Sequence, residues 1–157
     1  MSNSCYIKRT IATVYGDSLS PLINNSEKVI LLVNYYSCHK IKRNDIVAFK
    51  LKTAAYPFIK IIKGLPGDIL KFNGSYAYIN GKLLVNSQGK PYTFSKRSEI
   101  ILSIPLIDHK IPNNMYLVLG DRINESLSFD SRAFGYVEKN QIIGKVEILS
   151  NQKSQAK

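Results

Sequence analysis

Short apolar runs rich in β-branched residues follow one another along the chain, each closed by turn residues. Tyr6 to Val14 mixes β-branched and polar positions and reads as a first strand, and Lys28 to Tyr35 suits a mostly buried one. The charged turn Lys42 to Asn44 leads into a strand at Asp45 to Leu51, and Phe58 to Lys63 follows. The glycines and proline of GLPGD then mark a tight turn. Ile69 to Phe72 and Tyr76 to Ile79, separated by NGS and followed by NGK, read as hairpin strands. Met115 to Leu119 is a buried strand, and Gln141 to Leu149 closes the core as the last one. This alternation predicts a mainly β domain.

Ser87 to Lys110 does not fit so simply, with the polar segments SQGKPY and KRSE around an apolar IILSIPLI. It is expected to be an insertion or β-ribbon outside the catalytic core. We place an inserted β-ribbon or subdomain at about residues 73–112 of one domain spanning 1–157, with a polar tail at 150–157.

A chain of 157 residues suits one domain and can bury a real core. Its 22 Lys and Arg against 11 Asp and Glu give a net charge of +11, which favours an anionic surface, phospholipid or nucleic acid. Cys5 and Cys38 can form one disulfide at most, in no ligand-like spacing, and do not decide the redox compartment. No run approaches the roughly 20 apolar residues that span a bilayer, and the N-terminus lacks a secretory signal pattern. The chain as written is therefore expected to be soluble or peripheral.

Candidate chemistry starts at Gly16 to Leu22 (GDSLSPL), where Pro21 disfavours a helix through Ser20 and leaves Ser18 on a turn or short broken segment. A serine hydroxyl there is an ordinary turn residue unless a base takes its proton. His39 and His109 are the only histidines, and neither stands in a motif that presents an imidazole. Adjacent strand residues point to opposite faces, so neither Asp108 with His109 nor Cys38 with His39 makes a pair, and no metal or cofactor is expected. Lys60 is placed differently. On a Phe58 to Ile62 strand it shares a face with Phe58 and Ile62, and burial there can lower a lysine pKa by up to roughly 3 to 5 units. Alternation alone leaves two readings open, a neutral buried amine or a surface lysine whose head snorkels to water. A neutral amine also needs hydroxyl partners rather than a carboxylate in contact, which would favour the ammonium. The stretch GDRINESLSFDSRAFG, Gly120 to Gly135, offers Ser126, Ser128 and Ser131, with Asp130 and Arg132 readable as a solvated charge pair of a turn.

The order and spacing of GDSLSPL, KIIKGLPGD at Lys60 to Asp68, and GDRINESLSFDSRAFG resemble the active site of bacterial type I signal peptidases, Ser-Lys proteases. The resemblance runs from about Val14 to about Val146, with Leu19 for the usual Met, Leu22 for a threonine and Ala133 for an aromatic. It implies Ser18 as nucleophile and Lys60, four residues before Gly64, as general base. It also implies Ser128 as the residue that bonds the lysine amine, although Ser126 competes for that place, with Asp130 and Arg132 as a supporting ion pair. Tyr15, Leu19, Phe58 and Ile59 are candidates for small apolar pockets that admit Ala-like side chains. The implied fold is a signal peptidase β-fold of antiparallel sheets with an inserted β-rich subdomain. The implied activity is endoproteolytic removal of signal or leader peptides from preproteins. The wording SFDSR-x-FG is similar to the conjugative-transfer subfamily, which matures pilin-type substrates.

Members of the family are normally anchored by N-terminal helices with the site outside the inner membrane. This chain is then expected to be peripheral or to lack its anchor, docking on anionic lipid rather than nucleic acid. Two other readings stand beside it: a self-cleaving repressor-type Ser-Lys protease, for which no Ala-Gly or Cys-Gly bond lies upstream of Ser18, and a non-enzymatic basic β-domain.

Overall fold

A computed structural model describes residues 5–149. The polar tail expected at 150–157 lies outside the described residues. In chain order the strands of the main body are β1 (Lys8–Thr13), β2 (Lys28–Val33), β3 (Ile46–Phe49) and β4 (Phe58–Gly64). A small hairpin group follows, β5 (Leu70–Asn73), β6 (Tyr76–Ile79) and β7 (Lys82–Leu83), then helix α1 (Lys96–Ser103). The chain returns through β8 (Met115–Leu119), the short helix α2 (Ser131–Phe134), β9 (Val137–Glu138) and β10 (Ile142–Ile148).

Seven strands form one antiparallel sheet in the order β1-β2-β10-β3-β4-β8-β9, and β5-β6-β7 form a second. The last strand therefore does not close an edge. It enters between β2 and β3, so the two halves of the chain share one hydrogen-bonded layer.

Side-chain alternation sends β8 into two cores at once. Leu117 and Leu119 pack against the small sheet and α1, with Leu70, Ala77, Tyr92 and Leu102. Val118 and Tyr116 face Val47, Phe49, Ile62 and Val137 on the other side. A third cluster holds Leu19, Ile23, Val29, Ala48 and Ile61 beneath the segment that joins β1 to β2.

The middle of the chain departs from the expected β-ribbon. The second sheet starts at Leu70, and residues 96–103 are helical. Ser95 caps that helix, its side chain accepting the Ser98 N–H at 3.2 Å, and Pro105 stands two residues past its end. Those signals were present in SKRSEIILSIP and were masked by its β-branched isoleucines. Nor does the segment lie outside the body of the fold, because Tyr92 and Leu102 are fully buried against β8. Cys5 and Cys38 face one another with Cα atoms 5.9 Å apart, the spacing of a disulfide.

Candidate active site

Ser18 lies in the turn that follows β1. Gly16 opens the turn at a φ of 93°, a conformation that costs a side chain dearly, and its N–H is held by Asn25 Oδ1 at 2.8 Å. Leu19 and Ile23 drop into the core below. The backbone on the C-terminal side of Ser18 is thereby pinned.

Lys60 stands mid-strand on β4, facing the same core as Phe58 and Ile62. Its Nζ lies 2.8 Å from Ser18 Oγ and 3.2 Å from the Ile59 carbonyl, and 5.8 Å from the centre of the Phe58 ring. The residue is 4 % exposed. Burial pulls its pKa down from 10.5 to about 8, and the charge of Asp130 opposes part of that shift. At pH 7 roughly a tenth of the amine is thus uncharged, several hundred times the neutral fraction of an ordinary lysine. Lys63, the nearest competitor, is also buried, but its Nζ turns to Asn44 Oδ1 and the Val85 carbonyl instead.

The third stretch builds a rigid frame behind these two side chains. Asp130 caps α2, its side chain accepting the Arg132 N–H at 3.1 Å and the Gly120 N–H at 3.0 Å. Arg132 pairs with it at 2.8 Å, both side chains fully enclosed, and gives its remaining N–H groups to the carbonyls of Arg122, Ile123 and Thr93. The solvated charge pair that DSR alone permits is therefore a buried one. Ser131 Oγ accepts the Val118 N–H at 2.9 Å.

Gly120 is where the segments converge. A methyl group there would overlap both Ser128 Oγ and the Ser18 carbonyl. The segment 86–92 clamps the same point from outside. Tyr92 donates its hydroxyl to the Gly120 carbonyl at 2.6 Å, Asn86 donates to the Asp121 carbonyl at 2.9 Å, and the Ser87 N–H and hydroxyl hold the Asp121 carboxylate. The Asp121 N–H in turn donates to the Ser18 carbonyl at 2.7 Å.

One edge beside the site is open. Ile62 exchanges backbone hydrogen bonds with Asp45 and Asn44 on the β3 side, so alternation turns the Ile59 backbone toward the opposite edge. On that edge, pairing with β8 begins only at Ile61 with Leu119. On that side Phe58 and Ile59 have no strand partner among the described residues, and the outward-facing backbone is that of Ile59, whose carbonyl accepts from Lys60 Nζ.

Residues 4–150 match the model of the family described as signal peptidase, peptidase S26. The chain belongs to that family. Signal peptidase IB of Staphylococcus aureus is 31 % identical over 143 residues, which cover 85 % of this chain and 73 % of that protein. Signal peptidase I of Bacillus caldolyticus is 31 % identical over 139 residues, covering 85 % and 75 %. Among solved structures, a signal peptidase I from Enterococcus faecalis superposes with a TM-score of 0.51 at 31 % identity, covering 68 % of this chain and 97 % of that one. As a member of the peptidase S26 family the chain is a serine endopeptidase acting on preprotein signal peptides. The mainly β, antiparallel fold is the one expected.

Within this signal peptidase the structure brings together Ser18, Lys60, Asp130 and Arg132 as described, but it corrects two expectations. Ser128 does not bond the lysine amine: its Oγ is buried and has no hydrogen-bond partner among the described residues. Leu19 is 1 % exposed and belongs to the core, so it supports the turn instead of lining a pocket. Tyr15 is 85 % exposed on the flank, and Phe58 and Ile59 are partly buried at the open edge. Ser126 is exposed and bonds Asn124, away from Lys60. His39 stacks on Tyr35 with its Nδ1 at the Tyr35 carbonyl, as a surface residue.

Asp121, Ser87, Asn86 and Tyr92 escaped the sequence reading. Asp121 stood in the GD of a quoted motif and was legible as a turn residue. Nothing in SQGKPY marks Tyr92, whose role depends on a fold that carries it to Gly120. Phe129, 53 % exposed, was also passed over, although its ring lies 5.6 Å from that of Phe58 beside the open edge.

Proposed function

We propose that Ser18 and Lys60 are the catalytic dyad of this signal peptidase, with Ser18 the nucleophile and Lys60 the base. The observation that carries this reading is an amine 4 % exposed, with a pKa near 8, standing 2.8 Å from a serine hydroxyl. Neutral Lys60 takes the Ser18 proton as Oγ attacks the scissile carbonyl. The Ser18 N–H, which has no backbone acceptor among the described residues, is one donor to the oxyanion. Lys60 ammonium then gives its proton to the leaving amine, and the acyl group stays on Oγ. Neutral again, Lys60 activates a water that attacks the ester, and Oγ recovers its proton as the new carboxyl group departs. Asp130 and Arg132 act through the backbone at Gly120, and Ser128 lends a hydroxyl to the enclosed space between Ser18 and Gly120.

The substrate adds as a strand to the free edge at Phe58 and Ile59. Tyr15, Phe58 and Ile59 flank its residues before the cleavage point, where small side chains fit. A pilin-type leader belongs among the trial substrates because of the SFDSR-x-FG wording.

No helix among the described residues is long and apolar enough to cross a membrane. We infer that the catalytic face meets the outer side of the inner membrane as a peripheral surface. Exposed Tyr15 and Phe129 lie beside the site, and a charge of +11 favours anionic lipid.

The deciding experiment is incubation of a secretory preprotein and a pilin-type preprotein with wild type, Ser18→Ala and Lys60→Ala. Cleavage at one bond by wild type alone is expected. Full cleavage by either variant removes its residue from the dyad.

A further inference from the structure

A cleft of about 650 Å³ lies between the main sheet and the small one, and its mouth adjoins the Ser18 turn. Leu22, at the end of that turn, lines it. So does Ile61, the residue after Lys60 in β4, and so does Ser87, which holds Asp121 and through it the Ser18 carbonyl. Measured along β4, the cleft begins on the far side of Lys60 from Phe58 and Ile59.

The lining combines apolar side chains, Ile46, Ile61 and Leu84 among them, with charges of one sign only. Arg43, Lys63 and Lys82 are its charged residues. Arg43 is spoken for, its guanidinium forked onto Asp68 at 2.7 and 3.0 Å. Lys63 is not. It is 8 % exposed, its direct partners are the neutral oxygens of Asn44 and Val85, and burial disfavours its charged form. The Asp121 carboxylate offsets this from a distance and Arg43 works against it. Lys82 is exposed on β7 at the cleft wall. A carboxylate entering here would meet two lysine amines that no acidic side chain contacts directly among the described residues, and its own charge would favour the ammonium form of Lys63.

A peptide that pairs along Phe58 and Ile59 up to the scissile bond and stays extended advances about 3.3 Å per residue. Because β8 occupies the edge from Ile61 on, the peptide's next few residues leave the edge at Ser18 and pass toward Leu22 and Ile61 of the cleft. We propose that this cleft receives the segment after the cleavage point, the new N-terminal end of the mature protein, and selects an Asp or Glu within its first two to four residues. The proposal rests on the reading of Ser18, Lys60 and the free edge given above. Apolar lining accommodates the neighbouring side chains, and the unpaired lysines supply the discrimination.

The test uses three synthetic preprotein peptides identical except for Asp, Asn or Lys at the third residue after the cleavage point. A further set moves the Asp from the first to the sixth. kcat/KM is measured with wild type, Lys63→Met and Lys82→Glu. Wild type is expected to favour Asp over Lys by about five- to tenfold at low salt, with the gain confined to the second to fourth residues. Lys63→Met should bring that ratio toward one, and Lys82→Glu, an exposed change that the fold tolerates, should bring it to one or below. Salt should shrink the preference.

A wild-type ratio near one, or a ratio that neither variant moves, overturns the proposal while leaving the dyad intact. Failure of wild type to cut any of the peptides overturns the dyad reading and this proposal with it. If both variants lose affinity for vesicles containing anionic lipid yet keep the Asp preference, the cleft is a headgroup site and the proposal falls.

Discussion

The N–H of Asp121 donates to the carbonyl of Ser18 at 2.7 Å, and this bond ties the Ser18 turn to the chain leaving β8. Asp121 is itself fixed by Ser87, so a segment read from sequence as peripheral governs where the Ser18 hydroxyl points. Asp121→Ala leaves the Ser87 N–H and hydroxyl without their acceptor. Ser87 is exposed, so water replaces the acceptor and the cost is the net worth of the lost bonds, about 0.5–1.5 kcal/mol each, a fall in melting temperature of a few degrees. We expect kcat to fall about tenfold with KM changed little. A variant that melts earlier but turns over normally would show that the brace serves stability alone.

The rate should follow the protonation of Lys60. Only the neutral amine can accept the Ser18 proton, and its pKa is about 8. kcat/KM is therefore expected to rise about tenfold per pH unit on the acid side and to level off above that pKa. A rate independent of pH between 6 and 9 contradicts a lysine base with this pKa.

The same buried amine makes a separate claim on stability. Its folded pKa, about 8, lies below its ordinary 10.5, so between those values the unfolded chain binds more proton than the native one. Stability is full above the upper value, declines as pH falls toward the lower, and stays reduced below it, by roughly 3 kcal/mol if the whole shift is counted. Lys60→Met removes the titrating group while filling the same space. It is expected to be inactive yet more stable than wild type at pH 6, by about 1–3 kcal/mol, with the advantage gone by pH 11. Denaturant melts at the two pH values decide the matter, and equal differences at both would refute it.

Much of this site was legible because its parts are local. The turn at Ser18 follows from Gly16 and Pro21, and the place of Lys60 on the face of Phe58 and Ile62 follows from strand alternation, which left open whether its amine is buried or reaches water. What stayed hidden depends on contacts between distant segments. Tyr92 and Gly120 are 28 residues apart, Ser87 and Asp121 are 34 apart, and no spacing rule pairs them. The position of β10 between β2 and β3 is equally a property of the whole sheet, since its sequence fits an edge as well as a centre.

Gly120 carries a prediction that separates packing from chemistry. A methyl group there overlaps Ser128 Oγ and the Ser18 carbonyl, so Gly120→Ala must displace the turn that holds Ser18. Activity is expected to drop at least a hundredfold, the scale on which small misplacements of reacting groups are felt. Ser128→Ala removes a buried hydroxyl that has no partner, so it should leave stability unchanged or raise it. Combining it with Gly120→Ala relieves one of the two clashes and not the other. The double variant is expected to recover melting temperature more than turnover; equal recovery of both would mean that the Ser18 carbonyl is not the contact that matters.

Arg132 tests whether the frame behind the site needs its planar fork or only its charge. All five of its N–H donors are used, two on the Asp130 carboxylate and three on the carbonyls of Thr93, Arg122 and Ile123. Lysine offers three donors from one point and cannot reach oxygens set around a plane. Arg132→Lys therefore leaves buried carbonyls unpaired and is expected to cost about 3–5 kcal/mol, close to the loss from breaking a buried ion pair outright. The Asp130 oxygens hold the Gly120 N–H as well, so the damage spreads to the point where Ser18 is anchored. Denaturant unfolding and kcat measured on the same preparation should fall together. Retention of stability in Arg132→Lys would show that charge alone holds this loop.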